Sequence, residues 1–210
     1  MFKKLPIPTI IRLCMIFQLC KELLGQGINR VSSKEMGRKL GATAHTVRKD
    51  LNYLGEIGNT GSGYDVAYLK DKLSSVLGFE RMRKACIVGL GRLGTALLDY
   101  ERFVPGAFTI AAGFDASINR LETISTEIRV FPAYEITEVV QRLNIELAII
   151  AVPARAAQNT ADALVAGGIR GIVNFAPVII EPAKPDVYVR NIDVLNEMRV
   201  LLSLITLEQQ

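Results

Sequence analysis

Residues 84–94 of this chain read KACIVGLGRLG, an apolar run that passes into three glycines with the spacing Gly-x-Gly-x-x-Gly. Asp115 closes the next apolar run, 21 residues beyond Gly94. A strand, a glycine loop, a helix and a distal acid in this order are typical of a dinucleotide-binding turn. Gly89 would permit the tight turn, Gly91 would let a pyrophosphate approach the backbone, and Gly94 would let the next helix pack close to the sheet. The alternative is a glycine-rich connection without a ligand; the predicted nucleotide contacts are Gly89, Leu90, Gly91, Arg92, Leu93 and Gly94.

Asp115 also indicates which dinucleotide the chain would bind. Its carboxylate can accept a hydrogen bond from the adenosine ribose 2′-hydroxyl, whereas a 2′-phosphate at that place would meet a like charge. We therefore expect NAD⁺ and NADH rather than their 2′-phosphorylated forms. Arg120, five residues further on, is the nearest candidate for a phosphate partner. The other interpretation of Asp115 is a cap at the end of a strand.

The charge of the chain is divided unevenly along its 210 residues. Residues 1–84 hold 15 Lys and Arg against 7 Asp and Glu, a net charge of +8. Residues 85–210 hold 10 against 14, a net charge of −4. A basic segment joined to a slightly acidic nucleotide-binding segment indicates two domains, the first of which meets a polyanion. A solvated basic face is the alternative.

The few cysteines and the single histidine argue against several classes of protein. Cys14, Cys20 and Cys86 form no CxxC pair, so neither a disulfide framework nor a metal site is expected. The apolar runs are interrupted well before the roughly 20 residues that a membrane span needs, and no signal peptide is recognised. We expect a cytoplasmic protein without a membrane partner.

The basic segment is predicted to be largely helical at its start. Helical spacing of apolar residues predicts a first helix over Ile10–Leu24. Ser32 and Glu35 form a capping box that opens a helix over Ser33–Leu40. A further helix is expected from Ala44 to about Leu54. Two short helices joined by a tight turn that contains glycine are the pattern of a helix-turn-helix, although an ordinary packed helical pair would fit as well.

The second helix of this pair carries polar and cationic side chains away from its apolar face. Arg48 and Lys49 could bond phosphate oxygens or guanine edges, and His45 and Thr46 lie near the helix start, where groove contacts are made. Polar Asn52 shares this face. The predicted DNA contacts are His45, Thr46, Arg48, Lys49, Arg12 and Ser62.

Glycines at positions 55, 58, 61 and 63 predict a hairpin turn. Tyr64, Val66 and Tyr68 after it alternate as in a strand, which suggests a β-wing beside the helix-turn-helix. Leu69–Phe79 is expected to be a linking helix. The DNA-binding domain is therefore predicted to span residues 1–84.

The rest of the chain alternates between strand and helix patterns, which predicts a doubly wound, Rossmann-like parallel sheet over residues 85–190. Strands are expected to end at Val152-Pro153 and at Asn174, at the carboxyl edge where ligands of such sheets bind, although the prolines could simply end strands. Val152, Pro153 and Asn174 are thus further predicted cofactor contacts. The predicted elements are strand Ala85–Val88, helix Thr95–Tyr100, strand Phe108–Asp115, strand Ile128–Phe131, helix Ile136–Leu143, strand Leu147–Val152, helix Ala154–Ala166 and strand Gly171–Phe175.

The last segment, residues 191–210, contains a predicted helix over Val194–Leu207 with a broad apolar face. Such a face calls for a partner chain, and packing against the chain's own sheet is the alternative.

Taken in order along the chain, these motifs closely resemble the Rex family of redox-sensing transcriptional repressors. The resemblance implies a homodimer with winged-helix DNA-binding domains, Rossmann domains that bind NADH and NAD⁺ competitively, and a C-terminal helix exchanged between subunits. It further implies a regulator that holds operator DNA when NAD⁺ dominates and releases it when NADH binds, and not an enzyme. The matching motifs are Ser32-Ser-Lys-Glu, Val47-Arg-Lys-Asp-Leu, Gly61-x-Gly-Tyr-x-Val, Gly89-Leu-Gly-Arg-Leu-Gly-Thr-Ala-Leu, Ala151-Val-Pro-Ala with Ala157-Gln, Gly168-Ile-Arg-Gly-Ile-Val-Asn-Phe-Ala-Pro and Asn191-Ile-Asp.

The chain departs from the family pattern at two places. Family members usually carry Lys-Arg at the wing tip, where this chain has Asn59-Thr60. The resemblance also implies a redox switch in which Asp193 passes between a basic residue of the first helix and Tyr100, which is also an implied cofactor contact. The first-helix position is Gln18 here, which cannot pair as a cation. The wing-tip departure bears on operator affinity or preference, and Gln18 bears on the strength of the response to NADH.

Two other functions share this fold. An NAD-dependent dehydrogenase needs a substrate domain and a proton-transfer group, yet few residues follow Phe175 and the sole histidine lies in the predicted recognition helix. A CoA-binding domain would share the glycine loop but would leave Asp115 and the basic N-terminal domain unexplained.

Overall fold

The computed structural model describes residues 5–55, 57, 63–98 and 107–208. The chain divides into two compact units, Met1–Arg81 and Met82–Gln210. The sequence places this boundary at residue 84, three residues later. Within the described residues, no helix has both the length and the apolar character that crossing a bilayer requires.

The first unit is a helical bundle with a small two-stranded sheet. Buried side chains from four of its helices form the core, among them Leu13, Ile16, Met36, Leu51 and Leu69. Strands β1 and β2 are antiparallel, with Val31 opposite Tyr64. The elements are α1 (Ile7–Gly25), β1 (Arg30–Val31), α2 (Ser33–Leu40), α3 (Ala44–Leu51) with a 3₁₀ turn over Asn52–Leu54, β2 (Tyr64–Asp65) and α4 (Val66–Leu77).

Several boundaries in this unit differ from the sequence-based predictions, including the end of α4, which lies at Leu77 rather than Phe79. α1 begins at Ile7 rather than Ile10, because a proline in the first helical turn lacks only an N–H that would be unpaired there anyway. α3 ends at Leu51, where the helix tightens into the 3₁₀ turn. α4 begins at Val66 rather than Leu69, because the Asp65 side chain accepts a hydrogen bond from the Tyr68 N–H at 2.9 Å and caps the helix. The predicted strand through Tyr68 is therefore wrong, because within the described residues 63–68 only Tyr64 and Asp65 pair as β-structure.

The second unit is built on one parallel sheet with the strand order β5-β4-β3-β6-β7-β8. The chain moves outward from β3 to β4 and β5, then returns to place β6 on the other side of β3. A sheet that reverses direction in this way opens a crevice at the carboxyl ends of the two central strands. The elements are β3 (Arg83–Val88), α5 (Arg92–Leu98), β4 (Phe108–Asp115), α6 (Ile118–Thr123), β5 (Val130–Pro132), α7 (Ile136–Leu143), β6 (Leu147–Ile150), α8 (Ala154–Gly167), β7 (Gly171–Asn174), β8 (Tyr188–Asn191) and α9 (Val194–Leu207).

The predicted order of strands and helices is confirmed, with corrections at the edges. α5 begins at Arg92 rather than Thr95, β5 covers Val130–Pro132 rather than Ile128–Phe131, and β6 ends at Ile150 rather than Val152. The sequence reasoning missed α6 and β8. Neither buries a side chain of its own, so neither shows the apolar period on which such predictions depend.

Helix α9 begins and ends where the sequence predicts. Asp193 caps it by accepting a hydrogen bond from the Asn196 N–H at 3.0 Å. All 14 of its residues are exposed in the single chain, including Leu195 at 65% and Leu202 at 64%. An apolar helix of this length does not stay open to water without a cost, so α9 calls for a covering partner.

Candidate nucleotide cleft and nucleic-acid interface

The glycine loop between β3 and α5 has the geometry that its spacing predicts. Gly89 has φ +93°, and a Cβ atom there would lie 2.5 Å from the Ala151 carbonyl oxygen. A Cβ atom on Gly94 would overlap the Gly89 carbonyl oxygen. A Cβ atom on Gly91 would meet no described atom within 4 Å. The first and third glycines are therefore required by the fold, whereas the second leaves room for a ligand.

A cleft of about 690 Å³ lies beside this loop, at the carboxyl ends of β3, β4 and β6. This volume is in the range of sites that hold small molecules and cofactors. Of the predicted contacts, the side chain of Leu90 is instead buried in the core, and Arg92, Leu93 and Gly94 are not among the lining residues. The lining residues are Val88, Gly89, Gly91, Asp115, Ala116, Ser117, Arg120, Ala133, Ala151, Val152, Pro153, Ala156 and Thr160.

Asp115 stands at the end of β4 with its side chain 5% exposed. Oδ2 accepts a hydrogen bond from the Leu90 N–H at 2.7 Å and another from Arg120 Nη1 at 3.0 Å. Oδ1 accepts from the Ser117 N–H at 2.8 Å. The carboxylate thus ties the glycine loop to the end of β4 before any ligand arrives.

These contacts decide the protonation state of Asp115. Burial alone would raise the pKa of its carboxyl group, because the charged form loses its hydration. The hydrogen bonds from the Ser117 and Leu90 N–H groups and from Arg120 together outweigh burial and lower the pKa below its ordinary value. The group is therefore a charged acceptor at neutral pH, as a contact to a ribose hydroxyl requires.

Asn174, predicted as a cofactor contact, forms hydrogen bonds within the protein, and its contact with a cofactor stays a prediction. It is completely buried, and it is not among the residues that line the cleft. Its amide nitrogen donates to the Val178 carbonyl at 2.7 Å and to Asn191 Oδ1 at 2.9 Å, and its Oδ1 accepts from the Ala176 N–H at 2.9 Å. The side chain therefore shapes the loop after β7 and joins it to β8.

The helix-turn-helix of the first unit is closed by two glycines. Gly37 lies where a Cβ atom would be 2.5 Å from the Ala42 carbonyl oxygen, so only glycine lets α2 approach the turn so closely. Gly41 ends α2 with φ +63°, a left-handed conformation that favours glycine. Thr43 then caps α3 by accepting from the Thr46 N–H at 3.1 Å. The capping box of Ser32 and Glu35 at the start of α2 is also confirmed.

Helix α3 presents the face that its sequence predicts. His45, Arg48 and Lys49 are exposed, together with Asn52 in the turn that follows. Thr46 is half-buried. The opposite face is buried in the core of the unit through Val47 and Leu51. Arg48 Nη1 donates to Ser33 Oγ at 3.0 Å, which sets its guanidinium beside the start of α2. The outer face of the second helix is therefore cationic and accessible.

Arg12, predicted as a DNA contact, is engaged inside the unit. Its Nε donates to Asp50 Oδ2 at 2.5 Å and its Nη2 to Asp50 Oδ1 at 3.0 Å, while Thr9 Oγ1 donates to the same oxygen at 2.9 Å. Asp50 is only 2% exposed. Arg12 therefore anchors α1 to the recognition helix, and its contact with DNA stays a prediction.

The residues of the predicted redox switch are only partly described. Gln18 on α1 donates to Glu22 Oε1 at 3.3 Å and faces a shallow cavity of about 340 Å³ between α1 and α2. Asp193 caps α9. Tyr100, Ser62 and the wing-tip pair Asn59-Thr60 lie outside the described residues. Among the residues that are described, no three His, Cys, Asp or Glu side chains come together in a way that would hold a metal ion.

Comparison with known proteins gives the family. The model of the "CoA binding domain" family matches residues 80–178, and that of the "Putative DNA-binding protein N-terminus" family matches residues 4–52. The redox-sensing transcriptional repressor Rex of Thermus thermophilus is 42% identical over 194 residues, which cover 91% of this chain and 90% of that protein. The chain belongs to the Rex family. The Rex repressor of Carboxydothermus hydrogenoformans is 39% identical over 94% of the chain and 95% of its own length.

Solved Rex structures confirm the architecture. RSP, a Rex-family repressor crystallised with β-NAD⁺ and operator DNA, matches with a TM-score of 0.86 at 28% identity, over 99% of this chain and 95% of its own. RSP crystallised with β-NADH matches with the same TM-score and identity, over 99% of this chain and 97% of its own. The predicted family and fold class, a DNA-binding domain followed by a Rossmann-like parallel sheet, are therefore confirmed.

Sequence reasoning missed two features of these Rex sites. Ser117, Ala133 and Thr160 line the cleft, but they belong to no motif and are brought there only by the sheet topology. Gly37 could have been found, because a glycine inside a helix costs about 1 kcal/mol relative to alanine and so indicates a close contact.

Proposed function

We propose that this chain is a transcriptional repressor that holds operator DNA while NAD⁺ occupies its cleft or the cleft is empty, and releases the DNA when NADH binds. The observation that carries the proposal is that one chain of the Rex family contains both a helix-turn-helix with an exposed cationic face and a dinucleotide cleft that ends at a charged Asp115. It is a regulator and not an enzyme. It acts in the cytoplasm, where operator DNA and the NAD(H) pool meet.

The proposal that the chain forms a dimer rests on α9. The relatives of known structure are repressors of operator DNA, and dimeric repressors read two half-sites one or more helical turns apart. We propose that α9, whose residues are all exposed in the single chain, exchanges with a second copy. The exchanged helix buries its apolar face and fixes the distance between the two recognition helices.

The DNA contacts we propose are those of the outer face of α3, of the wing and of Arg12 on α1. Arg48 is held by Ser33, which suits a phosphate contact, whereas Lys49 extends outward without that restraint. His45 and Thr46 at the helix start lie where base edges are read. The full set is His45, Thr46, Arg48, Lys49, Arg12 and Ser62.

NADH acts on the DNA only if it prefers the arrangement of the dimer that cannot bind DNA. A hundredfold preference corresponds to about 2.7 kcal/mol, which is enough to empty an operator held at modest excess. We propose that Asp193 and Tyr100 carry this preference. Because Gln18 is uncharged, it cannot form an ion pair with Asp193, and the coupling in this chain is weaker than a basic residue at that position would give.

The experiment is a titration of fluorescence anisotropy on a labelled palindromic duplex. We expect NADH to lower the affinity for the duplex by about tenfold to a hundredfold, and NAD⁺ to leave it unchanged. CoA is the control ligand, because the matching family model bears its name. A single half-site should bind far more weakly than the palindrome. Unchanged binding at saturating NADH, or release by CoA alone, would contradict the proposal.

Lys49→Ala should weaken binding to the palindrome by about 1–3 kcal/mol if Lys49 reads a base, and by a smaller amount that is the same for all sequences if it contacts only phosphate. The measurement compares the operator with a scrambled duplex at two salt concentrations. Lys184→Ala is the matched control, since it removes one exposed lysine from the second unit. If Lys49→Ala binds both duplexes as the wild type does, Lys49 is not in the interface.

A further inference from the structure

A buried carboxylate and an accessible guanidinium stand side by side at one end of the nucleotide cleft. Arg120 Nη1 lies 3.0 Å from Asp115 Oδ2. The side chain of Asp115 is 5% exposed and that of Arg120 is 48% exposed. Both residues line the cleft. An incoming nucleotide therefore meets the cation first and the anion behind it.

The carboxylate has room for one more donor. Each carboxylate oxygen has two lone pairs, and Oδ2 uses both for the Leu90 N–H and Arg120. Oδ1 accepts one hydrogen bond from the Ser117 N–H, which leaves one site for a ligand hydroxyl. A ribose 2′-hydroxyl fits this remaining site, because a hydroxyl can donate, whereas a phosphate only accepts.

Arg120 cannot serve a phosphate while Asp115 is charged. A phosphate that took the guanidinium would leave the buried carboxylate with one partner fewer and with a second anion at close range, and an uncompensated buried charge is strongly unfavourable. The lowered pKa of Asp115 rules out relief by protonation at neutral pH. The positive charge of Arg120 is therefore neutralised by Asp115 and is not available to a phosphate in the cleft.

We propose that Arg120 is a second determinant of nucleotide choice, and that it is a binding group for an adenosine 2′-phosphate which Asp115 keeps neutralised. This inference rests on the proposed function, because it concerns the same cleft. With Asp115 charged, the pair accepts a 2′-hydroxyl. Once the charge of Asp115 is removed, the same guanidinium is left with a full positive charge at the rim of the cleft and with N–H donors in the fork geometry that suits phosphate.

The test is a cycle of two substitutions read by isothermal titration with NADH and with NADPH. Asp115→Asn keeps the size of the side chain and one oxygen acceptor but removes the charge. We expect it to lower NADH affinity and to raise NADPH affinity by about tenfold or more, since one charge-assisted hydrogen bond to phosphate is worth that factor. Asp115→Asn combined with Arg120→Gln should lose the gain in NADPH affinity. Arg142→Gln is the control, because Arg142 is an exposed arginine on α7 paired with Glu138.

The outcomes separate the inference from the function on which it rests. The inference would be overturned if Asp115→Asn and the double variant with Arg120→Gln gained the same affinity for NADPH. It would also be overturned if the Asp115→Asn protein still bound NADH but showed no increase in its affinity for NADPH. Asp115→Ser is measured in parallel, with a melting curve for each variant, so that loss of folding is recognised. A wild-type chain that binds neither NADH nor NAD⁺ would overturn both the inference and the proposed function.

Discussion

Gly91→Ala will leave the second unit as stable as the wild type but lower its affinity for NADH by about tenfold to a hundredfold, whereas Gly94→Ala will destabilise the unit itself by about 3 kcal/mol or more. The two glycines are three residues apart in one loop. A methyl group on Gly91 meets no described atom within 4 Å, so it occupies only open space beside the loop, where we expect the pyrophosphate to bind. A methyl group on Gly94 would overlap the backbone carbonyl of Gly89, which no change of side-chain rotamer can relieve.

Thermal melting and NADH titration of the two variants check this prediction together. Gly25→Ala is the matched control, because an added Cβ atom at this position near the end of α1 also meets nothing described within 4 Å and lies outside the nucleotide unit. We expect it to change neither measurement. If Gly91→Ala bound NADH as tightly as the wild type, the pyrophosphate would have to lie away from the glycine loop, and the cleft would have been assigned to the wrong ligand.

The elements that could be predicted from the sequence are those whose ends and faces are determined locally. α2 has its capping box and its terminal glycine within a few residues, and β4 and α7 bury regular apolar positions, so their bounds match the prediction. α4 was placed three residues late, because the alternation of Tyr64, Val66 and Tyr68 looks like a strand until Asp65 caps the helix. β8 is defined by its pairing with β7. Because it buries no side chain, its sequence shows no apolar period that would predict a strand.

The residues of the nucleotide cleft divide in the same way into those that local sequence determines and those that only the tertiary structure brings together. The three glycines and Asp115 could be found because a nucleotide-binding turn needs them at a fixed spacing along the chain. The partners of those residues could not. Asn174 looked like a ligand contact at a strand end, yet its amide is used by its own loop and by Asn191, 17 residues away. A polar side chain at a carboxyl edge can serve either the ligand or the loop, and only the tertiary structure decides between them.

Arg12→Ala should lower the stability of the first unit by about 3 kcal/mol, because it breaks an ion pair and leaves the buried Asp50 carboxylate without its charged partner. Asp50→Ala should cost less, since the Arg12 side chain is 27% exposed and can be hydrated. The pair joins residues 38 positions apart, on α1 and on the recognition helix, and Asp50 is almost completely buried. Arg12→Ala is the more informative change, since it leaves a carboxylate in the core with Thr9 as its one remaining donor among the described residues. Operator affinity should then fall because α3 is no longer held in place.

This prediction separates the structural role of Arg12 from a direct contact with DNA. Arg12→Ala and Asp50→Ala both break the anchor, so both should lower the melting temperature and the operator affinity. Because Arg12 is also a proposed DNA contact, Arg12→Ala should bind the operator worse than Asp50→Ala by more than the difference in stability explains, and equal binding at equal stability would remove Arg12 from the DNA. The double substitution to Met and Leu replaces the pair by apolar side chains, and buried ion pairs tolerate such replacement with little loss of stability. A double variant that melts like the wild type but fails to bind the palindrome would place Arg12 on the DNA.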